Sequence, residues 1–338
     1  MNWYKVATEG RAVPIHALYH FTSEQFGAMT RKEKVALARK TSISSQTQLM
    51  FFTQEYEGKE DALQKLAKNE SIALATQRLF FTESYGNKVE ILGNLAHNRG
   101  IHPEVQPLFF TEDYGEKSWA LHNLAVNPSI TLETQRLFFA WNYWNKSQFL
   151  SSLAKNRSIT PLTERLFFTE DYKNKGEVLY RLAENPSITL EIQRLFFTEK
   201  YNGEVLQGLA RNTSITPEIQ RLFFTEKYSE KYWALKWLAE NPSIIPEVQR
   251  LFFTEKYEKK GSVLWGLALN RSITPETQRL LITEKYEEKD NVLWILAKNE
   301  NFLRNFTRDE LLLIKGVVRG NLKLHVLSKR LKQIVGVP

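Results

Sequence analysis

The chain has no cysteine in its 338 residues. Disulfides, thiol nucleophiles and cysteine-type zinc sites are therefore excluded. It has no apolar run of about 18 residues, so no helical membrane span is expected. Residues 1–20, MNWYKVATEGRAVPIHALYH, lack the basic start and apolar core of a secretory leader, so a cytoplasmic protein is the expectation. There is no Gly-rich phosphate loop, no Gly-Lys-Ser/Thr and no H-E-x-x-H. Nothing in the chain calls for a metal or a cofactor, and no catalytic set is in view. The expectation is a protein that is not an enzyme.

What the chain does have is repetition. Phe51-Phe52 recurs as Phe80-Phe81, Phe109-Phe110, Phe138-Phe139, Phe167-Phe168, Phe196-Phe197, Phe223-Phe224 and Phe252-Phe253, with Leu281-Ile282 as a ninth copy. Successive markers stand 29 residues apart, except for a step of 27 after Phe197, where two residues are missing near Tyr201-Asn202-Gly203. A fixed period in this range signals a solenoid and overrides a domain count taken from length.

The copy at 216–241, TPEIQRLFFTEKYSEKYWALKWLAEN, reads as two helices. Thr216 is an N-cap, its hydroxyl placed to accept from free first-turn N–H groups. Pro217 fits the first helical position, and Glu218 complements the positive helix end. Ile219, Leu222, Phe223 and Tyr228 make an apolar stripe. A second helix buries Ala234, Leu235, Leu238 and Ala239. Asn241 is expected as a left-handed C-cap, as are Asn69, Asn98, Asn127, Asn156, Asn185, Asn212, Asn270 and Asn299. Pro128, Pro186 and Pro242 then stop the helix.

Such a pair cannot bury its apolar face alone, but stacked pairs can. The expected fold is an all-α solenoid of about nine two-helix repeats over 41–299. Residues 1–40 are expected to form an N-terminal cap and 300–338 a basic helical C-terminal cap. At about 8–10 Å per layer, nine repeats predict a curved rod of roughly 80–90 Å.

The segments Leu182-Ala183-Glu184-Asn185-Pro186-Ser187-Ile188-Thr189 and Leu238-Ala239-Glu240-Asn241-Pro242-Ser243 resemble the leucine-rich repeat variant, a HEAT-like helical repeat. The resemblance covers about 41–299. It implies a right-handed superhelix of short helices and says little about function. The unit here is longer than the family's, with an inserted FFTEKY segment. The absence of cysteine means that the iron–sulfur module attached to one family member is not present.

Net charge is +8. Residues 1–40 hold seven Lys/Arg against three Glu, and 299–338 hold eight against three acids. The middle, 41–298, holds 31 bases and 32 acids, a net −1. A protein that tracks a phosphate backbone along its length carries excess positive charge along that length; this one is basic only at its ends. The tail residues Arg319, Lys323, Lys329, Arg330 and Lys332 fit a basic amphipathic segment, either a solvated cap or an arm for nucleic acid or an acidic surface. His16 and His20 lie four apart but lack a third ligand, so cap packing is the simpler reading. In the copy around Phe138-Phe139 the usual Thr-Glu becomes Ala140-Trp141, followed by Tyr143 and Trp144. This predicts a bulge, a partner contact or a change of curvature.

The second helix of each copy keeps its core face and varies the opposite one. In one copy that face is Trp233, Lys236, Trp237 and Glu240, spaced as a single stripe. Equivalent positions elsewhere supply Trp119, Tyr180, Arg181, Trp265 and Trp294. Drift on an exposed face yields Lys, Glu, Ser and Gln rather than these rings. Tryptophan and tyrosine anchor interfaces, although packing between repeats would also explain them. The expected function is a non-enzymatic scaffold holding a protein or peptide in an aromatic concave groove. A nucleic-acid binder that stacks bases on the rings is the alternative. A HEAT-like DNA-repair enzyme would need a carboxylate beside the aromatics, with Glu240 or Glu184 as nominees. No membrane contact is expected, and oligomeric state is left open.

Overall fold

The structure is a computed structural model describing residues 20–198, 203–296 and 298–299. The chain divides into two compact units, 1–173 and 174–338. The described residues contain twenty helices and no strand.

In unit 1 the first helices are α1 (Ser23–Gly27), α3 (Ser45–Thr53), α5 (Leu74–Thr82), α7 (Leu108–Thr111), α9 (Leu132–Ala140) and α11 (Pro161–Thr169). The second helices are α2 (Arg31–Ala38), α4 (Lys59–Ala67), α6 (Lys88–His97), α8 (Ser118–Ala125) and α10 (Lys146–Ala154). Unit 2 alternates second helices α12 (Lys175–Ala183), α14 (Gly203–Arg211), α16 (Lys231–Glu240), α18 (Lys260–Leu269) and α20 (Lys289–Leu296) with first helices α13 (Leu190–Thr198), α15 (Pro217–Thr225), α17 (Pro246–Thr254) and α19 (Pro275–Thr283). In both units each helix contacts its equivalent one repeat away, and second helices contact one another more extensively than first helices do. Each unit is thus α-solenoid built from two-helix repeats.

The predicted helix starts are present. Thr160, Thr216 and Thr274 accept from the third helical N–H, with proline next in sequence. Thr22 and Gln25 form a capping box on α1. The exception is α7, only four residues long. Pro107 stands there where the later copies and the one before it have Arg, and its ring and missing N–H forbid the usual helix through that turn.

The double Phe packs successive layers together, and Leu281-Ile282 takes its place in the ninth copy. The second ring of one copy meets the first ring of the next edge to face, at 4.8 Å for Phe52–Phe80, 4.9 Å for Phe81–Phe109 and 5.0 Å for Phe224–Phe252. The inserted FFTEKY segment caps the first helix. Its Tyr hydroxyl donates to the carbonyl of the first Phe, as in Tyr114 to Phe109 (3.0 Å), Tyr172 to Phe167 (2.8 Å) and Tyr228 to Phe223 (3.0 Å). The following Lys ammonium donates to the second Phe carbonyl, as in Lys59 to Phe52 (2.7 Å) and Lys117 to Phe110 (2.9 Å). Carbonyls orphaned at a helix C-terminus are thereby satisfied without glycine.

The repeated asparagine is not a left-handed cap. Asn98, Asn241 and Asn270 have φ of −69°, −69° and −67°. Each asparagine is buried, and within each unit the asparagines reach one repeat back. Asn241 Nδ2 donates to the carbonyls of Ala210 (2.8 Å) and Asn212 (2.9 Å), and its Oδ1 accepts from the Ser243 N–H (2.9 Å). Asn98 makes the same three bonds to Ala67, Asn69 and Gly100. In most repeats a glutamine of the first half makes a parallel ladder in the opposite direction, as Gln48, Gln77, Gln135, Gln220 and Gln249 do. Gln220 Nε2 donates to the carbonyls of Ile215 (3.2 Å) and Ser243 (3.1 Å), and its Oε1 accepts from the Ile245 N–H (3.0 Å). These bonds satisfy buried backbone groups in the turns between repeats.

Candidate partner-binding face

Core packing fixes which side of each second helix remains open. In unit 2, Ala234, Leu235, Leu238 and Ala239 of α16 are fully buried, which turns Trp233, Lys236, Trp237 and Glu240 away from the core. Trp233 is 38% and Trp294 39% exposed, while Tyr180, Trp237 and Trp265 are half-buried.

Cations hold the rings in place. The Arg211 guanidinium lies 3.9 Å from the Trp237 ring centre. It also donates to the Tyr180 hydroxyl (2.8 Å) and pairs with Glu184 (3.4 Å). Arg181 pairs with Glu184 as well (3.4 Å) and approaches Tyr180 at 5.3 Å. Lys236 sits between two indoles, 5.4 Å from Trp233 and 5.1 Å from Trp265. Lys298 lies 3.2 Å from the Trp294 ring centre. A cation over an aromatic face is attracted by the ring quadrupole, so these contacts restrict the rotamers of both partners.

Not every varied position is free. Gly208 and Gly266 are buried. A Cβ on Gly208 would come within 2.7 Å of the Tyr180 carbonyl, and one on Gly266 within 3.0 Å of the Lys236 carbonyl. Glycine is there because neighbouring second helices approach closely. Trp265, Trp294, Lys236, Glu288, Asn291 and Ser262 line an open depression of about 340 Å³. Burial pushes the Glu240 carboxyl up from its ordinary range, while Lys236 and Arg211 oppose the shift.

Unit 1 presents a different face. Trp119, 43% exposed, is its only tryptophan from the predicted set, and its ring covers Gly93. Beside it Asn123 donates to the Gly93 carbonyl (3.0 Å), and His122 Nδ1 and Ser152 Oγ are 2.9 Å apart. Toward α2 the face becomes basic, with Arg31, Lys32, Arg39 and Lys65 around a depression of about 350 Å³.

Unit 2 therefore gathers Tyr180, Arg181, Trp233, Lys236, Trp237, Trp265 and Trp294 on the second helices α12, α16, α18 and α20. Trp119 stands apart from them in unit 1. Arg319, Lys323, Lys329, Arg330 and Lys332 lie outside the described residues, as does His16. Two organising residues, Arg211 and Lys298, occupy positions of the same varied stripe but do not belong to the binding set expected from the sequence. A signal existed for Lys298, which follows Trp294 by four positions on one helix face. Arg211 acts on a ring of the next repeat, a pairing that spacing within one helix does not reveal. No group of three or more His, Asp or Glu able to hold a metal occurs among the described residues. No helix of the described residues is long and apolar enough to cross a membrane. Comparison with protein-family models, curated proteins and solved structures found no match.

Proposed function

We propose that the chain is a non-enzymatic repeat scaffold, akin to the leucine-rich repeat variants, and that unit 2 holds an extended peptide or protein segment along its second helices. The observation that carries this is the line of half-open rings pinned by Arg211, Lys236 and Lys298. Rings already fixed in place lose little entropy on binding, and rigid aromatic anchors dominate interface energies. The same face carries Glu177, Glu184, Glu204 and Glu240. Those carboxylates oppose a phosphate backbone, and the cations beside them are already engaged with rings.

A library of random peptides displayed against the full chain tests this. Clones selected on the wild type should lose about 100-fold or more in affinity for Trp233→Ala/Trp265→Ala/Trp294→Ala, because three central anchors are gone. Equal affinity for the two proteins would contradict the reading.

A further inference from the structure

From α3 onward, the connections from first to second helices in unit 1 follow one pattern with one exception. Those after α3, α5, α7 and α11 carry acids, such as Glu55, Glu83, Glu112 and Glu170. The connection after α9 has no acid and reads Trp141-Asn142-Tyr143-Trp144-Asn145. Trp144 is 87% exposed and Trp141 36%. Trp141 stacks against Tyr143, with ring centres 6.4 Å apart and planes 29° apart. The Tyr143 ring in turn meets Phe149 edge-on at 5.4 Å.

This arrangement takes Tyr143 out of its capping role. Tyr56, Tyr85, Tyr114 and Tyr172 of the same unit each donate to a Phe carbonyl five residues earlier. The Tyr143 hydroxyl is buried and has no hydrogen-bond partner. An unmatched buried hydroxyl destabilises the fold, and an indole standing in water contributes nothing to the core. Four sibling connections show how the loop is built when only folding matters. Departures from local rules without a folding gain mark functional positions.

We propose that the Trp141–Trp144 loop is a docking knob for a protein partner that offers an apolar cleft with basic flanks. Trp144 supplies the apolar insert. The basic flanks follow from the neighbouring connections. Trp141 lies 6.3 Å from Phe110, at the end of the helix that leads into the loop before, and Tyr172 of the loop after lies 6.3 Å from Phe139, at the end of the helix that leads into this one. The loops before and after expose Glu112, Asp113 and Glu116 on one side, and Glu170 and Asp171 together with Lys173 on the other. Carboxylates so placed repel an anionic bilayer or a nucleic acid and attract Lys and Arg. The knob lies in unit 1 and is independent of the reading of unit 2.

The test uses the full chain, its Trp144→Ala variant and its Glu112→Gln/Glu170→Gln variant. Small folded domains randomised on one face are selected against the wild type. Selected clones are expected to carry Lys or Arg on both sides of an apolar cleft. They should lose at least about thirty-fold in affinity for Trp144→Ala and weaken for the double glutamine variant. Clones indifferent to Trp144 would overturn the proposal. So would self-association of the wild type that Trp144→Ala abolishes, which would make the partner a second copy. Co-flotation with phosphatidylcholine or phosphatidylserine vesicles that depends on Trp144 would overturn it in favour of a membrane. Because Trp144 is almost fully exposed, its variant should keep the wild-type melting temperature, and that midpoint is measured alongside.

Discussion

The Asn241 side-chain amide donates to the backbone carbonyl of Asn212, its counterpart one repeat earlier, at 2.9 Å. The link recurs from Asn270 to Asn241 (2.8 Å) and from Asn299 to Asn270 (2.9 Å). Each repeat thus tests the placement of its neighbour through two bonds from a single buried residue, while a third bond fixes that residue in its own turn.

Asn241→Ala should destabilise unit 2 by about 2–4 kcal/mol, because two carbonyls and one N–H lose buried partners. Asn241→Asp, nearly the same shape, should cost as much, since a carboxyl does not supply the two donors. Denaturant unfolding measures both. A loss below about 0.5 kcal/mol in either would show that water replaces the ladder.

The tyrosine caps provide an internal control. Tyr228→Phe removes a bond of 3.0 Å to the Phe223 carbonyl and should cost about 1 kcal/mol. Tyr143→Phe removes a buried hydroxyl with no partner, so it should be neutral or stabilising. Equal destabilisation by the two changes would refute the capping role.

Alkaline pH should unfold the protein through the same caps. Burial raises the hydroxyls of Tyr85, Tyr114, Tyr228 and Tyr257 well above the ordinary tyrosine value. The unfolded chain releases these protons near pH 10 while the folded chain keeps them. The folded state then binds more protons than the unfolded one, so stability falls as pH rises above about 10. Burial lowers the neighbouring ammoniums of Lys88, Lys117, Lys231 and Lys260. Their effect has the opposite sign, but it ends once the unfolded lysines titrate near 10.4. Melting curves against pH, followed by tyrosinate absorbance, should show ionisation coincident with unfolding. Tyrosinate formation in a still-helical chain would contradict it.

The period and the Thr-Pro helix starts made the solenoid legible in the sequence, because each signal is local and repeated. The role of Asn241 was not legible. An asparagine after a helix looks the same whether it adopts a left-handed turn or donates across to another repeat, and only the φ of −69° separates the two. FFTEKY was recognisable as an insertion, yet its use as a cap depends on Tyr228 folding back onto Phe223. The aromatic line of unit 2 followed from stripe positions. The buried Gly208 and Gly266 did not, since close helix approach leaves no trace in one helix's own pattern. The short α7 was available from Pro107.

Peptide recognition by unit 2 is decided by intrinsic tryptophan emission, titrated with a selected peptide and with a mixed-sequence single-stranded oligonucleotide, each at about 50 and 200 mM salt. The expected result is saturable change with the peptide at both salts and none with the oligonucleotide. Saturable quenching by the oligonucleotide at low salt, collapsing at the higher salt, would instead make the rings a base-stacking surface.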